Sequence, residues 1–224
     1  MTSATHAPKN RPKTPTQRRS RARFELILDH TERLLRDRAP EELSIYDVAA
    51  SAGMAAQSVY RLFPSASAIL FALAARYQAR IIEAGEQADF SGCACWQDYI
   101  EQSFGLVRDY YNAQPQALDL LLGAGSTREI RSADRQNIQL AALRQLESLA
   151  PKGAPALPVG TLEIAIDIAD AIWSRSYDLH ETITPAYQQE VVRAVTAYLE
   201  LYLPRYGTIA AATQSAEGPD RPMH

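Results

Sequence analysis

Phe24, Ile27, Leu28, Thr31, Leu34 and Leu35 share one helical face, at i, i+3, i+4, i+7, i+10 and i+11, while Arg, Glu and Asp occupy the opposite side. This predicts an amphipathic helix, which Pro40 ends. Ser44 then stands where an N-cap hydroxyl accepts a backbone N–H, ahead of a short helix over Ile45–Ser51 with Val48 and Ala49 turned inward. Gly53 follows, a residue able to take the left-handed conformation that closes a tight turn. Val59, Leu62 and Phe63 are the inward set of a third helix over Ala56–Phe63, stopped by Pro64.

From Ser65 the pattern Ile69, Leu70, Leu73, Tyr77, Ile81 predicts a long helix. Further helices are expected near 96–112, 116–123, 129–149, 160–182 and 186–203, parted by Pro115, the loop between Pro151 and Pro158, and Pro185. No run alternates as a half-buried strand does, so the expectation is an all-α chain without internal repeats. Residues 1–16, with Pro8, Pro12 and Pro15 and no apolar period, are expected to be a disordered basic arm, and 205–224 a disordered tail. Between them we expect an N-terminal unit over 17–66 and a second body over 67–204.

Charge sharpens this division. The 224 residues carry a net charge of -3, yet residues 1–38 hold ten Lys/Arg against four Asp/Glu, a surplus of six that leaves nine net negative charges on the rest. One basic end on an acidic body suits a polyanionic partner; a solvated tail is the plainer alternative. No apolar run is long enough to span a bilayer and the N-terminus lacks a signal-like apolar segment, so a cytoplasmic protein without membrane contact is expected. Cys93 and Cys95 stand one residue apart, too close for an ordinary mutual disulfide and too few for a zinc site, as suits a reducing compartment. No metal or cofactor is expected.

Two short helices joined by a glycine turn and braced by an amphipathic helix can hold the second helix for entry into a major groove. The outward side of 56–63 offers Gln57, Ser58, Tyr60 and Arg61, which can hydrogen-bond to base edges or phosphates; an ordinary surface helix would look similar. Ser44-Ile45-Tyr46-Asp47-Val48-Ala49, Ala52-Gly53-Met54 and Ser58-Val59-Tyr60-Arg61-Leu62-Phe63 together resemble the N-terminal signature of the tetracycline-repressor (TetR) family, over roughly residues 20–72.

The resemblance implies a helix-turn-helix transcriptional regulator that binds double-stranded DNA. It implies that Ser44 and Tyr60 contact phosphate, that Gln57 and Arg61 face the groove, and that Ser58 does either. Tyr46, on the exposed side of the supporting helix, is placed to reach the backbone or a base edge. Two positions depart from the family's usual pattern: Ala55, where a hydroxyl residue is common, and Ala66, where a lysine is common. Arg18, Arg19, Arg21 and Arg23 are then the candidates to supply the missing phosphate contacts.

The resemblance further implies a helical C-terminal domain that senses a small-molecule effector and dimerises through its last two helices. Leu162, Ala165, Ile166, Ala169, Ile172 and Trp173 form one apolar band, and Val191, Val192, Val195, Tyr198, Leu199 and Tyr202 another, as in a four-helix bundle between two copies. Burial within one subunit is the alternative. Phe104, Tyr110, Tyr111, Leu118, Leu122, Trp173 and Tyr177, with Trp96 and His180, are candidates to line a pocket. Repression relieved by effector binding at a palindromic operator is the expected mode. An enzyme is disfavoured, since the chain has no glycine-rich phosphate loop, HExxH or GxSxG and only four histidines. A helical scaffold that keeps the fold without reading DNA is the remaining alternative.

Overall fold

The computed structural model describes residues 12, 18–127, 130, 138, 140–144, 146 and 157–203. Among these the chain is helical and contains no strand. The elements are α1 (Arg18–Leu34), a 3-10 turn (Pro40–Glu42), α2 (Ile45–Ser51), α3 (Ala56–Tyr60), α4 (Ala66–Gln87), α5 (Trp96–Ala113), α6 (Pro115–Leu122), α7 (Thr161–His180) and α8 (Pro185–Leu199). Residues 140–144 are also helical. The arm, the tail and most of the helix expected over 129–149 lie outside the described residues.

Local chemistry sets several of these boundaries. Ser65 takes an extended backbone and its hydroxyl accepts the Ala68 N–H at 3.1 Å, starting α4. Pro115 and Pro185 open α6 and α8, where a missing N–H costs nothing. Asp98 accepts from the Ala94 and Cys95 N–H groups at 2.8 and 3.3 Å, anchoring the start of α5. The 22 residues of α4 span ~33 Å at the usual helical rise. Along this length α4 packs on α1, α5 and α6.

α7 and α8 form an antiparallel pair, with α8 seated on α5 and α7 on α6. Their connection is tied down from α5. Asn112 donates to the Ile183 carbonyl and accepts from the Ile183 N–H, both at 2.9 Å, and also accepts from the Thr182 hydroxyl. Glu181, which ends α7, is the one described non-glycine residue in the left-handed region, with φ 56°.

Arg18, Arg19 and Arg21 lie in the first turns of α1. Two features differ from expectation. Regular helix in α3 stops at Tyr60, and Arg61–Phe63 follow as a turn in which the Leu62 and Phe63 N–H groups share the Val59 carbonyl, both at 2.9 Å. Pro64 disfavours helical backbone at the residue before it, which accounts for the early end. Finally, Ala165, Ala169, Trp173, Val191 and Val195 are buried beneath the chain's own atoms. The Trp173 indole N–H donates to the buried Gln188 side chain at 3.1 Å, and its ring meets Phe104 and Tyr111. These five residues of the expected dimer face belong to the core because α7 and α8 pack on each other, α8 on α5 and α7 on α6, with Phe104 and Tyr111 of α5 meeting Trp173. Leu162, Ile166 and Tyr198 are partly buried, and Tyr202 is exposed.

Candidate nucleic-acid interface and cavity

α2, its turn and α3 form a compact unit braced by α1. The turn is a Schellman motif: Met54 N–H bonds to Ala49 O at 2.9 Å and Gly53 N–H to Ala50 O at 3.2 Å, with Gly53 at φ 61°. Val48, Val59 and Phe63 are wholly buried, and Phe63 stacks on Phe24 of α1 with centroids 4.6 Å apart. The inner face of the short α3 is therefore fixed against α1 and α2.

Its outer face is open. Gln57, Tyr60 and Arg61 are exposed and Ser58 is partly so, with an Arg61 guanidinium nitrogen 3.4 Å from the Ser58 hydroxyl. Tyr46 of α2 meets Tyr60 edge-on at 6.4 Å, so the two phenols form one exposed aromatic ridge. Partial desolvation and the neighbouring Tyr46 raise the Tyr60 pKa, so it stays a neutral hydrogen-bonding phenol at ordinary pH. Arg18, Arg19, Arg21 and Arg23 are exposed on the first two turns of α1. The arrangement offers amide, phenol, hydroxyl and guanidinium groups, with no carboxylate among these named side chains.

Ser44 has a more constrained place. Its hydroxyl accepts the Asp47 N–H at 3.2 Å and donates to the Asp47 carboxylate, which in return accepts the Ser44 N–H at 3.1 Å. Arg38 holds the other Asp47 oxygen at 3.0 Å. The Ser44 hydrogen bonds, then Arg38, lower the Asp47 pKa. This capping box occupies the hydroxyl proton, so a phosphate contact from the Ser44 side chain requires its rotation. Ala55 begins α3 with no side-chain cap.

In the second body a cavity of about 200 Å³ opens between α4, α5, α7 and the residues Ile138, Ala141, Ala142 and Arg144. Its walls are mainly apolar, with Ile81, Phe90, Phe104, Val107, Ile166 and Trp173 prominent, and Gln78, Ser103, Glu86, Arg144 and Asp170 add polar groups. Of the expected lining residues, Phe104, Tyr111 and Trp173 are there. Leu118, Leu122 and Trp96 are buried in the core away from it, and His180 is exposed, its ring 5.8 Å from that of Tyr187. Tyr177 is turned to donate to Asp119 at 3.0 Å, and Tyr110 lies beside Arg80. Gln78, Ser103 and Asp170 carry no signal in the sequence that marks them as lining, and Ile81 and Ile166 read there only as apolar helix positions. Their convergence depends on how three helices meet, and a single helical stripe does not reveal it.

Among the described residues no three His, Cys, Asp or Glu side chains are grouped to hold a metal, and no helix is long and apolar enough to cross a membrane.

Residues 27–73 match the family model of bacterial regulatory proteins, tetR family. No curated protein sequence matches the chain. Among solved structures, a TetR transcriptional regulator from Rhodococcus sp. RHA1 aligns at 16% identity and TM-score 0.64, covering 81% of this chain and 97% of its own. A TetR-family transcriptional regulator from Streptomyces coelicolor aligns at 22% identity and TM-score 0.54, covering 81% and 98%. At these identities the likeness is one of fold.

Proposed function

We propose that this chain, whose N-terminal unit is that of the tetR family and whose fold is that of TetR regulators, is a dimeric transcriptional repressor. It binds a palindromic operator and leaves it when a small molecule occupies the cavity. The observation that carries this reading is the α2–α3 unit. Its inner residues Val59 and Phe63 are wholly buried while Gln57, Tyr60 and Arg61 stand exposed on the outer face. A helix rigid on one side and hydrogen-bonding on the other is what groove reading requires.

In this reading residues 17–66 read DNA and 67–204 bind the effector and a second copy. Gln57 and Arg61 address base edges, Tyr60 and Tyr46 the flanking backbone, and Ser58 either. Ser44 contributes its phosphate contact after rotating out of the capping box. Arg18, Arg19, Arg21 and Arg23 add phosphate contacts that Ala55 and Ala66 cannot make.

The dimer surface is the outward side of α7 and α8, not the buried band. Ile164, Leu179, Leu201 and Tyr202 are exposed apolar residues on or just beyond these helices, while Leu162 and Tyr198 pack against the core at its edge. A two-fold pair would place its readers roughly 34–36 Å apart, one DNA turn. The cavity suits an apolar, ring-bearing effector, because Phe104, Tyr111 and Trp173 supply aromatic walls. Such a molecule relieves repression to the extent that it prefers a conformation with the readers wrongly spaced. A protein of this kind works in the cytoplasm.

The test is selection of duplexes from a random pool, followed by affinity measurements over a salt series. We expect a palindromic consensus bound by wild type and lost by Tyr60→Ala/Arg61→Ala. Replacing Arg18, Arg19, Arg21 and Arg23 with Ala should flatten the log–log salt slope by ~0.9 for each phosphate contact removed. Weak, sequence-blind binding, equal in wild type and double mutant, overturns the reading in favour of a helical scaffold.

A further inference from the structure

α1 and α4 are joined by more than apolar packing. Glu25, Asp29 and Glu32 project from successive turns of α1, and one guanidinium on α4, Arg76, gathers all three. Its two terminal nitrogens lie 2.6 Å from Asp29 and 2.6 Å from Glu32, with Glu25 at 3.6 Å. The Arg76 side chain is only 14% exposed and that of Glu32 17%. Glu32 uses its second oxygen to hold Arg80, one turn along α4, at 2.9 Å. Arg80 in turn lies over the Tyr77 ring at 5.9 Å and beside Tyr110 of α5. The chain of contacts thus runs from the helix that braces the reading unit, through α4, to the helix that carries Phe104 and Tyr111 of the cavity wall.

Apolar side chains alone leave two packed helices some freedom to roll and slide, because dispersion is non-directional. A planar guanidinium held by carboxylates on successive turns removes that freedom in both rotation and translation. Partly buried ion pairs add little stability over apolar residues of similar size, so their distinctive contribution is geometric. We infer that Arg76 is a positioning residue: clamped by Asp29 and Glu32, it sets the angle of the reading unit on the second body, and hence the half-site separation that a dimer accepts. The inference rests on the DNA-binding reading above and deepens it, since it assigns the spacing rule to residues that touch neither DNA nor effector.

The experiment uses the full chain and a duplex series in which two copies of the selected half-site are separated by spacers varied one base pair at a time. Wild type should favour one spacer over those one and two base pairs longer or shorter by at least tenfold. Arg76→Met should keep the same half-site sequence preference while this discrimination shrinks to about threefold or less, and Arg76→Lys, which retains charge without the fork, should fall between. If Arg76→Met fails to fold, Asp29→Asn, at a side chain 56% exposed, should flatten the spacer profile in the same direction. An unchanged spacer profile in the folded variant overturns the positioning role while leaving the regulator reading intact. A wild-type protein with no half-site preference overturns both.

Discussion

Phe24 and Phe63 stack with ring centroids 4.6 Å apart and planes 29° from parallel, joining α1 to the turn that ends the reading unit. Phe63 is wholly buried while Phe24 is half-buried at the edge of the core. Truncating a buried phenylalanine costs ~3–5 kcal/mol through lost burial and the cavity left behind. Phe63→Ala should therefore lose that much stability by urea denaturation, and Phe24→Ala clearly less. Equal losses at the two positions would show that the ring contact, rather than burial, dominates.

Gly53 gives a prediction of the opposite kind, because no contact is involved. A Cβ there would meet nothing within 4 Å, yet φ is +61°. Left-handed backbone costs a residue bearing a Cβ ~1–2 kcal/mol. Gly53→Ala should destabilise by about that amount, with Gly53→Asn less affected because Asn tolerates this region. A neutral Gly53→Ala variant would mean that the α2–α3 turn adopts another geometry.

These local features are readable in the sequence. The bounds of α2, the Ser44 cap, the Gly53 turn and the inward residues Val48 and Val59 all follow from interactions within a few residues. What cannot be read there is which element covers a given apolar face. The bands on α7 and α8 announce burial, and the structure buries Ala169 and Trp173 within the chain itself, with Trp173 against Phe104 and Tyr111 of α5. The acidic side of α1 has the pattern of a solvated face, whereas Asp29 and Glu32 reach across to Arg76, 47 and 44 residues away. The cavity lining mixes both problems: Phe104, Tyr111 and Trp173 can be named as large aromatics, while Gln78 and Ser103 have no local signature.

Asn112 holds the α7–α8 connection by a two-sided grip on Ile183, which is 1% exposed. The carbonyl of Ile183 can only accept and its N–H can only donate, so the amide orientation of Asn112 is determined by the contact itself. Asn112→Ala would strip partners from two part-buried backbone groups, which water replaces in part because Asn112 is itself exposed. We expect a loss of about 1–2 kcal/mol and faster amide exchange at Ile183. Exchange at Ile183 as slow as in wild type would show that the turn holds without α5.

Tyr99 provides a test in the alkaline range. Its ring is 6% exposed and meets Phe90 edge-on at 4.9 Å. Burial pushes its pKa from 10.0 up to about 12, partly opposed by the Ser103 hydroxyl and assisted by Cys93. Between those values the folded chain keeps a proton that the unfolded chain has lost. The unfolded state then binds fewer protons, so stability falls as pH rises. The full contribution is present below pH 10 and is gone above pH 12. Each tenfold difference in proton affinity between the folded and unfolded chains is worth ~1.4 kcal/mol, so Tyr99 alone accounts for roughly 2–3 kcal/mol across this window. Tyr77, Tyr110 and Tyr177 are raised in the same direction, chiefly by burial, and steepen the decline. Urea denaturation between about pH 8 and about pH 11.5 should show stability flat at first and then falling, with Tyr99→Phe declining less steeply by up to one proton's worth of slope. Parallel slopes for Tyr99→Phe and wild type would show that the Tyr99 phenol titrates alike in the folded and unfolded chains.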